Sequence, residues 1–280
     1  MAEKIAVITG SSSGIGMLTT VELARAGFRV IATMRDLNRS TRLDQLSAAA
    51  GVTDRIEQRK LDITETLAIP HVVKDILRDH GRIDVLVNNA GFPMAGFAED
   101  VRLDEIRQQF ETNFFGALAM THAVLPAMRA QRSGHIIMVS SVSGRVGQPV
   151  LSSYCASKFA LEGWSEALRV ETHSLGIRVV LVEPGSFKTD IWERNARVAE
   201  VTMSPESPNH ERALRFQQFV NKAPKRDAIH VARLIARVAQ DPNPRLRYMI
   251  GLDAHLQRWL RTLMPWRRYE RFVAKMVKID

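Results

Sequence analysis

Six short strand-like runs, KIAVITG, FRVIATM, IEQRKLD, IDVLVNNAG, GHIIMVSS and IRVVLVEPG, alternate with stretches whose apolar residues recur at helical spacing. Several of these runs are apolar throughout, the pattern of strands covered on both faces, and such strands belong to parallel sheets. Helices are expected over 15–27, 40–50, 65–80, 103–131 and 153–174. A β-α-β-α order of this kind predicts an α/β fold, a doubly wound and mainly parallel sheet with helices on both sides. The 280 residues show no repeat, low-complexity tract or interdomain linker, so a single domain is expected over 1–251.

Past Gly185 the rhythm loosens. Residues 186–226 are polar, and Pro205, Pro208 and Pro224 interrupt any long helix. Excursions of this length between sheet strands either serve function or decorate the surface, and the expectation here is a substrate lid. A helix over 227–240 and a last strand in RLRYMIG follow.

In the tail, 252–280, Leu252, Leu256, Trp259, Leu260, Leu263, Trp266, Tyr269, Phe272, Val273 and Met276 recur at helical spacing, and Pro265 breaks the run. The net charge of +9 belongs to this end: residues 1–221 hold 25 Lys/Arg and 25 Asp/Glu, whereas 222–280 hold 14 and 5. One basic patch argues against nucleic acid as a partner. A basic amphipathic extension either touches a membrane surface or covers an apolar substrate, or else it packs on the body or on a partner subunit.

Tyr154 and Lys158 stand four residues apart in SSYCASKFALEGW, on one face of a predicted helix. A free phenol titrates near ~10, and a neighbouring ammonium favours the phenolate, so the pair reads as a proton-transfer device. Ser141 lies thirteen residues before the tyrosine. Gly10, Ser11, Ser12, Ser13, Gly14, Ile15 and Gly16 join the first strand to the first helix, where backbone N–H groups and the helix dipole suit a pyrophosphate. At the end of the second strand Met34 takes the place of a ribose-binding acid and Arg35 follows, which favours the 2′-phosphate of NADP(H). Asp36 as a ribose ligand, with Arg35 its surface partner, would instead give NAD(H).

TGSSSGIG, Asn88-Asn89-Ala90-Gly91, Asn113 in TNFFG, Ser141, YCASK and Pro184-Gly185-Ser186-Phe187-Lys188-Thr189 resemble, in order and spacing, the single-domain short-chain dehydrogenase/reductase family over roughly 4–251. IATMRD and YCASKFALEG are most similar to estradiol-type hydroxysteroid and retinol dehydrogenases. The resemblance implies a Rossmann-type sheet and NADP(H)-dependent interconversion of a carbonyl and an alcohol on an apolar steroid-, retinoid- or lipid-like substrate. It implies that Tyr154 exchanges the proton, that Lys158 lowers the phenol pKa and binds the nicotinamide ribose, and that Ser141 polarises the substrate oxygen. Asn113 would hold a water linking Lys158 to solvent. Gly10, Ser12, Ser13, Gly14, Ile15 and Gly16 would line the pyrophosphate and ribose, with Asp62 and Ile63 at the adenine and Asn89, Ala90 and Gly91 along its ribose. Pro184, Gly185, Phe187 and Thr189 would fix the carboxamide. A dimer through 103–131 and 153–174 is also implied. A non-catalytic NADPH-sensing scaffold is the rival outside enzymes, and the complete Asn113, Ser141, Tyr154, Lys158 set argues against it.

The eight histidines form no compact ligand cluster, so no catalytic metal is expected. Cys155, the single cysteine, reads as a packed small residue. No stretch approaches the ~20 apolar residues of a membrane span. With the first strand at Ile5, a secretory signal is not expected, and the expectation is a cytoplasmic protein, membrane-peripheral if the tail takes the first of its alternatives.

Overall fold

The computed structural model describes residues 3–188 and 197–279. The first half of the chain runs β1 (Ile5–Thr9), α1 (Gly14–Arg25), β2 (Arg29–Met34), α2 (Thr41–Ala49), β3 (Ile56–Lys60), α3 (Ile69–His80) and β4 (Val85–Asn88). A short β5 (Met94–Ala95) precedes α4 (Leu103–Phe110), a π-turn over Glu111–Phe115, and α5 (Gly116–Gln131). Then come β6 (Gly134–Val139), α6 (Ser152–Thr172) and β7 (Ile177–Pro184). The region after β7 contains β8 (Phe187–Lys188), β9 (Arg197–Val198), α7 (Glu200–Met203), α8 (His210–Lys222) and β10 (Arg226–Asp227). The chain closes with α9 (Ile229–Gln240), β11 (Arg247–Ile250), α10 (Leu252–Leu263) and α11 (Trp266–Val277).

Seven strands form one sheet in the order β11-β7-β6-β4-β1-β2-β3, with every pairing parallel. All seven coincide with the runs read from the sequence. Along β1 the two-residue period is explicit: Ala6 and Ile8 enter one core with α1 and α9, and Ile5 and Val7 enter the other with α3, α5 and α6. Burial on both faces is why the central strands β1, β4, β6 and β7 are almost wholly apolar, whereas edge strand β3 is half-exposed and carries Glu57, Gln58, Arg59 and Lys60. The order in which strands are laid down reverses between β1 and β4, which stay parallel, so their carboxyl ends open the crevice in which such sheets bind ligands.

One region departs from the sequence reading. Pro205, Pro208 and Pro224 flank α8 rather than break it, and a thirteen-residue helix stands in the expected polar excursion. The tail forms two helices separated at Pro265, as expected, and both lie against the body, one of the alternatives left open for it. Ala254 and Tyr269 are buried with Val142 and Val146, and Leu260, Met264 and Val273 pack around them.

Candidate active site

A cleft of about 650 Å³ runs across the carboxyl ends of β1, β2, β4, β6 and β7. At one end lies the glycine turn. Ser13 is extended at the N-cap of α1, and Ser12, Gly14, Ile15 and Gly16 face the cleft beside it. A Cβ on Gly16 would stand 2.3 Å from the Gly10 carbonyl oxygen and 2.4 Å from Asn89 Nδ2, so only glycine lets the helix approach so closely. Asn89 fastens this turn to β4, its Nδ2 donating to the Thr9 carbonyl at 2.9 Å and the Gly10 carbonyl at 3.1 Å. The Thr9 hydroxyl in turn accepts from the N–H groups of Asn89 and Ala90. The side chain placed by resemblance along the ribose is therefore also the clamp that shapes the pyrophosphate turn.

Arg35, Asp36 and Arg39 line the same end. Asp36 Oδ1 accepts from the Asn38 N–H at 3.0 Å and caps the turn Leu37–Arg39, so its carboxylate is drawn toward its own loop. Arg39 was not among the sequence candidates; the turn that brings it beside Arg35 leaves no periodic mark. Asp62 is on the cleft wall, one carboxylate oxygen accepting from Thr64 N–H and hydroxyl. Ile63 is buried beside it and packs against Gly116.

At the other end β6, the turn after it, and α6 converge. Ser141 caps the turn Val142–Gly144, its Oγ accepting from the Ser143 N–H at 3.1 Å. Its hydroxyl proton remains available as a donor on the cleft side, where Tyr154 lies within hydrogen-bond reach. Tyr154 and Lys158 stand one above the other on buried turns of α6. Burial pushes the Tyr154 phenol up to about 12, and its hydrogen bond with Ser141 opposes this only in part. Burial lowers the Lys158 ammonium to about 8, against the pull of the Glu162 carboxylate. The ammonium donates to the Val139 carbonyl at 2.8 Å and lies 5.9 Å from the Tyr154 ring centre. Burial therefore sets the direction of the phenol's shift, the reverse of that expected from spacing alone.

Asn113 lies behind the cleft, in the π-turn between α4 and α5. Its Oδ1 accepts from the Phe92 N–H at 3.0 Å, and its Nδ2 donates to the Phe92 carbonyl at 3.0 Å and to Ser157 Oγ at 3.1 Å. Both amide protons are spent on binding the loop after β4 to α6. A Cβ on Gly91 would come 3.0 Å from Asn113 Oδ1 and 3.8 Å from Lys158 Nζ, which ties that glycine to the same corner. Pro184, Gly185 and Phe187 close the cleft after β7, and Thr189 lies outside the described residues.

The tail contributes directly. Ser186 N–H donates to Asp253 Oδ2 at 2.6 Å, so α10 braces the loop after β7. Gln257 lines the cleft and accepts from Gln148 Nε2 at 2.6 Å, and Gln148 accepts from Ser143 Oγ at 2.9 Å. Sequence reasoning missed Gln148, Asp253 and Gln257, whose partners lie far away along the chain. Among the described residues no group of three or more His, Cys, Asp or Glu is placed to hold a metal ion. Cys155 is buried and accepts from the Gln148 N–H, and burial raises its thiol pKa.

Residues 4–199 match the family model described as short chain dehydrogenase. The chain is 42% identical to the uncharacterized oxidoreductase YusZ of Bacillus subtilis over 98% of its own length and 99% of the relative's. It is 35% identical to a 3-ketodihydrosphingosine reductase of Bacteroides thetaiotaomicron, covering 93% and 94%. With retinol dehydrogenase 8 of Bos taurus the identity is 36%, covering 88% and 81%. Among solved structures, a short-chain dehydrogenase from Streptomyces avermitilis superposes with a TM-score of 0.81 at 34% identity, covering 97% and 98%.

Proposed function

The chain belongs to the short-chain dehydrogenase family and is an oxidoreductase, and on that premise we propose that it interconverts an apolar carbonyl compound and its alcohol with NADP(H). The observation that carries this reading is the convergence of Ser141, Tyr154 and Lys158 on one end of a cleft whose other end is the N-terminus of α1. The cleft fits a dinucleotide by its chemistry, with helix N–H groups for a pyrophosphate and a pair of guanidiniums beyond them. Gly10, Ser12, Ser13, Gly14, Ile15 and Gly16 would hold the pyrophosphate, and Pro184, Gly185, Phe187 and Thr189 the carboxamide. When bound, the nicotinamide gives or takes the hydride.

The chain's own residues handle the proton. Tyr154 gives it to the substrate oxygen in reduction and recovers it in oxidation. Ser141 donates a hydrogen bond to that oxygen and stabilises the charge it gains. Lys158 supplies positive charge beneath the phenol, and Asn113 positions both by fastening the Phe92 loop to α6. Arg35 and Arg39 support NADP(H) over NAD(H), since Asp36 is engaged in its own turn. An apolar substrate is supported by the relatives named for a sphingoid ketone and for retinol. Leu103, Phe115, Phe159 and Val170, exposed on α4, α6 and the turn between α4 and α5, support a dimer through that face. The buried, unpaired Cys155 fits the reducing cytoplasm.

The test is NADPH and NADH oxidation across steroid, retinoid, sphingoid-ketone and simple aldehyde substrates. Tyr154→Phe should cut turnover by about a thousandfold or more while cofactor binding persists. Arg35→Ala should weaken NADPH about tenfold or more and leave NADH unchanged. Equal loss for both cofactors would remove the phosphate contact, and unchanged turnover in Tyr154→Phe would overturn the mechanism.

A further inference from the structure

One face of α10 has no partner among the described residues. Its inward side carries Asp253, Ala254, Gln257 and Leu260 onto the body. Its outward side carries Leu252, Leu256, Trp259 and Leu263, which are spaced so as to form a single stripe and are 55–69% exposed. Past Pro265, Trp266 is 57% exposed, and Phe272 and Met276 extend the apolar surface onto α11. Contiguous large apolar side chains of this kind mark an interaction surface. Exposed guanidiniums of Arg258, Arg267, Arg268 and Arg271 surround it, with Glu270 as the acid among them.

We propose that α10 and α11 dock this chain on an anionic phospholipid bilayer, the stripe entering the interface and the arginines meeting lipid phosphates. Charge selects this occupant. Residues 222–280 carry the whole +9 excess of the chain. Within that stretch, residues 252–280 hold seven Lys/Arg against three Asp/Glu, so pairing the face with a second copy would set like charge against like charge, whereas an anionic surface neutralises it. A helix with its side chains is roughly 10–12 Å across, and Gln257 on the inward side of α10 lines the cleft. Docking therefore sets the cleft about one helix diameter from the lipid. The helix α8 is fastened to the tail, since Arg212 and Arg215 donate to the carbonyls of Ile279 and Lys278 at 3.1 Å. Delivery of an apolar substrate from that surface rests on the function proposed above; the docking does not.

The experiment is co-sedimentation of the full chain with phosphatidylcholine vesicles prepared with and without phosphatidylglycerol. Binding should need phosphatidylglycerol, weaken with salt, and fall about tenfold or more in the Trp259→Glu/Leu263→Glu variant. Both substituted positions are exposed, so the variant should keep the wild-type melting temperature and its turnover of a water-soluble carbonyl. Wild-type protein left in the supernatant with anionic vesicles overturns the proposal. So does a variant that binds vesicles as before but changes from dimer to monomer by light scattering, which would make the stripe a contact between copies. If no carbonyl is reduced by either protein, the functional reading fails while sedimentation still decides the docking.

Discussion

The Lys158 ammonium is bonded to the Val139 carbonyl at the end of β6, and not to the Tyr154 phenol that it is spaced to serve. A buried ammonium with one carbonyl partner is held at a cost. Its folded pKa, about 8, lies below its ordinary 10.5, so between those values the unfolded chain binds more protons and stability rises with pH. Below pH 8 the full penalty applies. Lys158→Met should therefore abolish turnover at pH 7 while leaving the fold as stable as before, or more stable by on the order of 1–2 kcal/mol. Thermal unfolding beside an activity assay reads both; a drop of many degrees would mean that the Val139 bond secures the fold.

The same two groups set the pH dependence. In reduction the donor is the protonated phenol, which burial keeps protonated to about pH 12, so the phenol itself adds no limb in the working range. Lys158 loses its charge as pH rises through about 8. The kcat/KM of reduction should be level below pH 8 and decline above it, whereas alcohol oxidation, which needs the phenolate, should rise with pH. A reduction rate that climbs between pH 7 and 9 would exclude Tyr154 as the donor.

The sheet was legible because burial on both faces forces β1, β4, β6 and β7 into short apolar runs that nothing else in the chain resembles. Tyr154, Lys158 and Ser141 were legible because one helix turn and one strand-to-helix connection fix their spacing. The direction of the Tyr154 shift was not, since spacing shows the charge beside a phenol but not the depth at which both are buried. Gln148 and Gln257 meet across 109 positions, and an uncharged pair so separated leaves no pattern. The helix α8 was hidden for a related reason: its prolines bound it, and the surface it packs on, around Phe97 and the end of α11, is made by distant segments.

Asp253 is the residue through which the tail reaches the loop after β7. Its carboxylate accepts from Ser186 N–H at 2.6 Å, a charge-assisted bond that no water replaces at equal geometry. Asp253→Ala should raise the KM for the dinucleotide about tenfold and lower kcat, because the loop proposed to hold the carboxamide loses its brace. Gln257→Ala, which removes only the bond to Gln148, should leave the dinucleotide KM near wild type. Steady-state kinetics with cofactor varied separates the two; identical behaviour of both variants would mean that the tail acts on the cleft as a whole and not through Ser186.

Beneath Ser140 lies a buried acid cluster that no catalytic step uses. Arg247 Nε is 3.0 Å from Glu183 Oε1 and 3.1 Å from Glu162 Oε2, and its Nη2 also pairs with Glu166. Glu183 is 1% exposed, and burial, reinforced by the Glu162 carboxylate beside it, pushes its pKa up to about 7. A carboxyl whose folded pKa exceeds its ordinary 4.5 binds its proton more tightly in the folded state. Stability therefore falls as pH rises from 4.5 to 7, and above 7 the whole cost is present. Glu183→Gln keeps the shape and removes the charge, and Arg247 retains Glu162 and Glu166 as partners. Urea unfolding should find the variant more stable than wild type by about 1–3 kcal/mol at pH 8, with the difference vanishing near pH 5. A variant less stable at pH 8 than at pH 5, relative to wild type, would show that the Glu183–Arg247 attraction exceeds the cost of burying the charge.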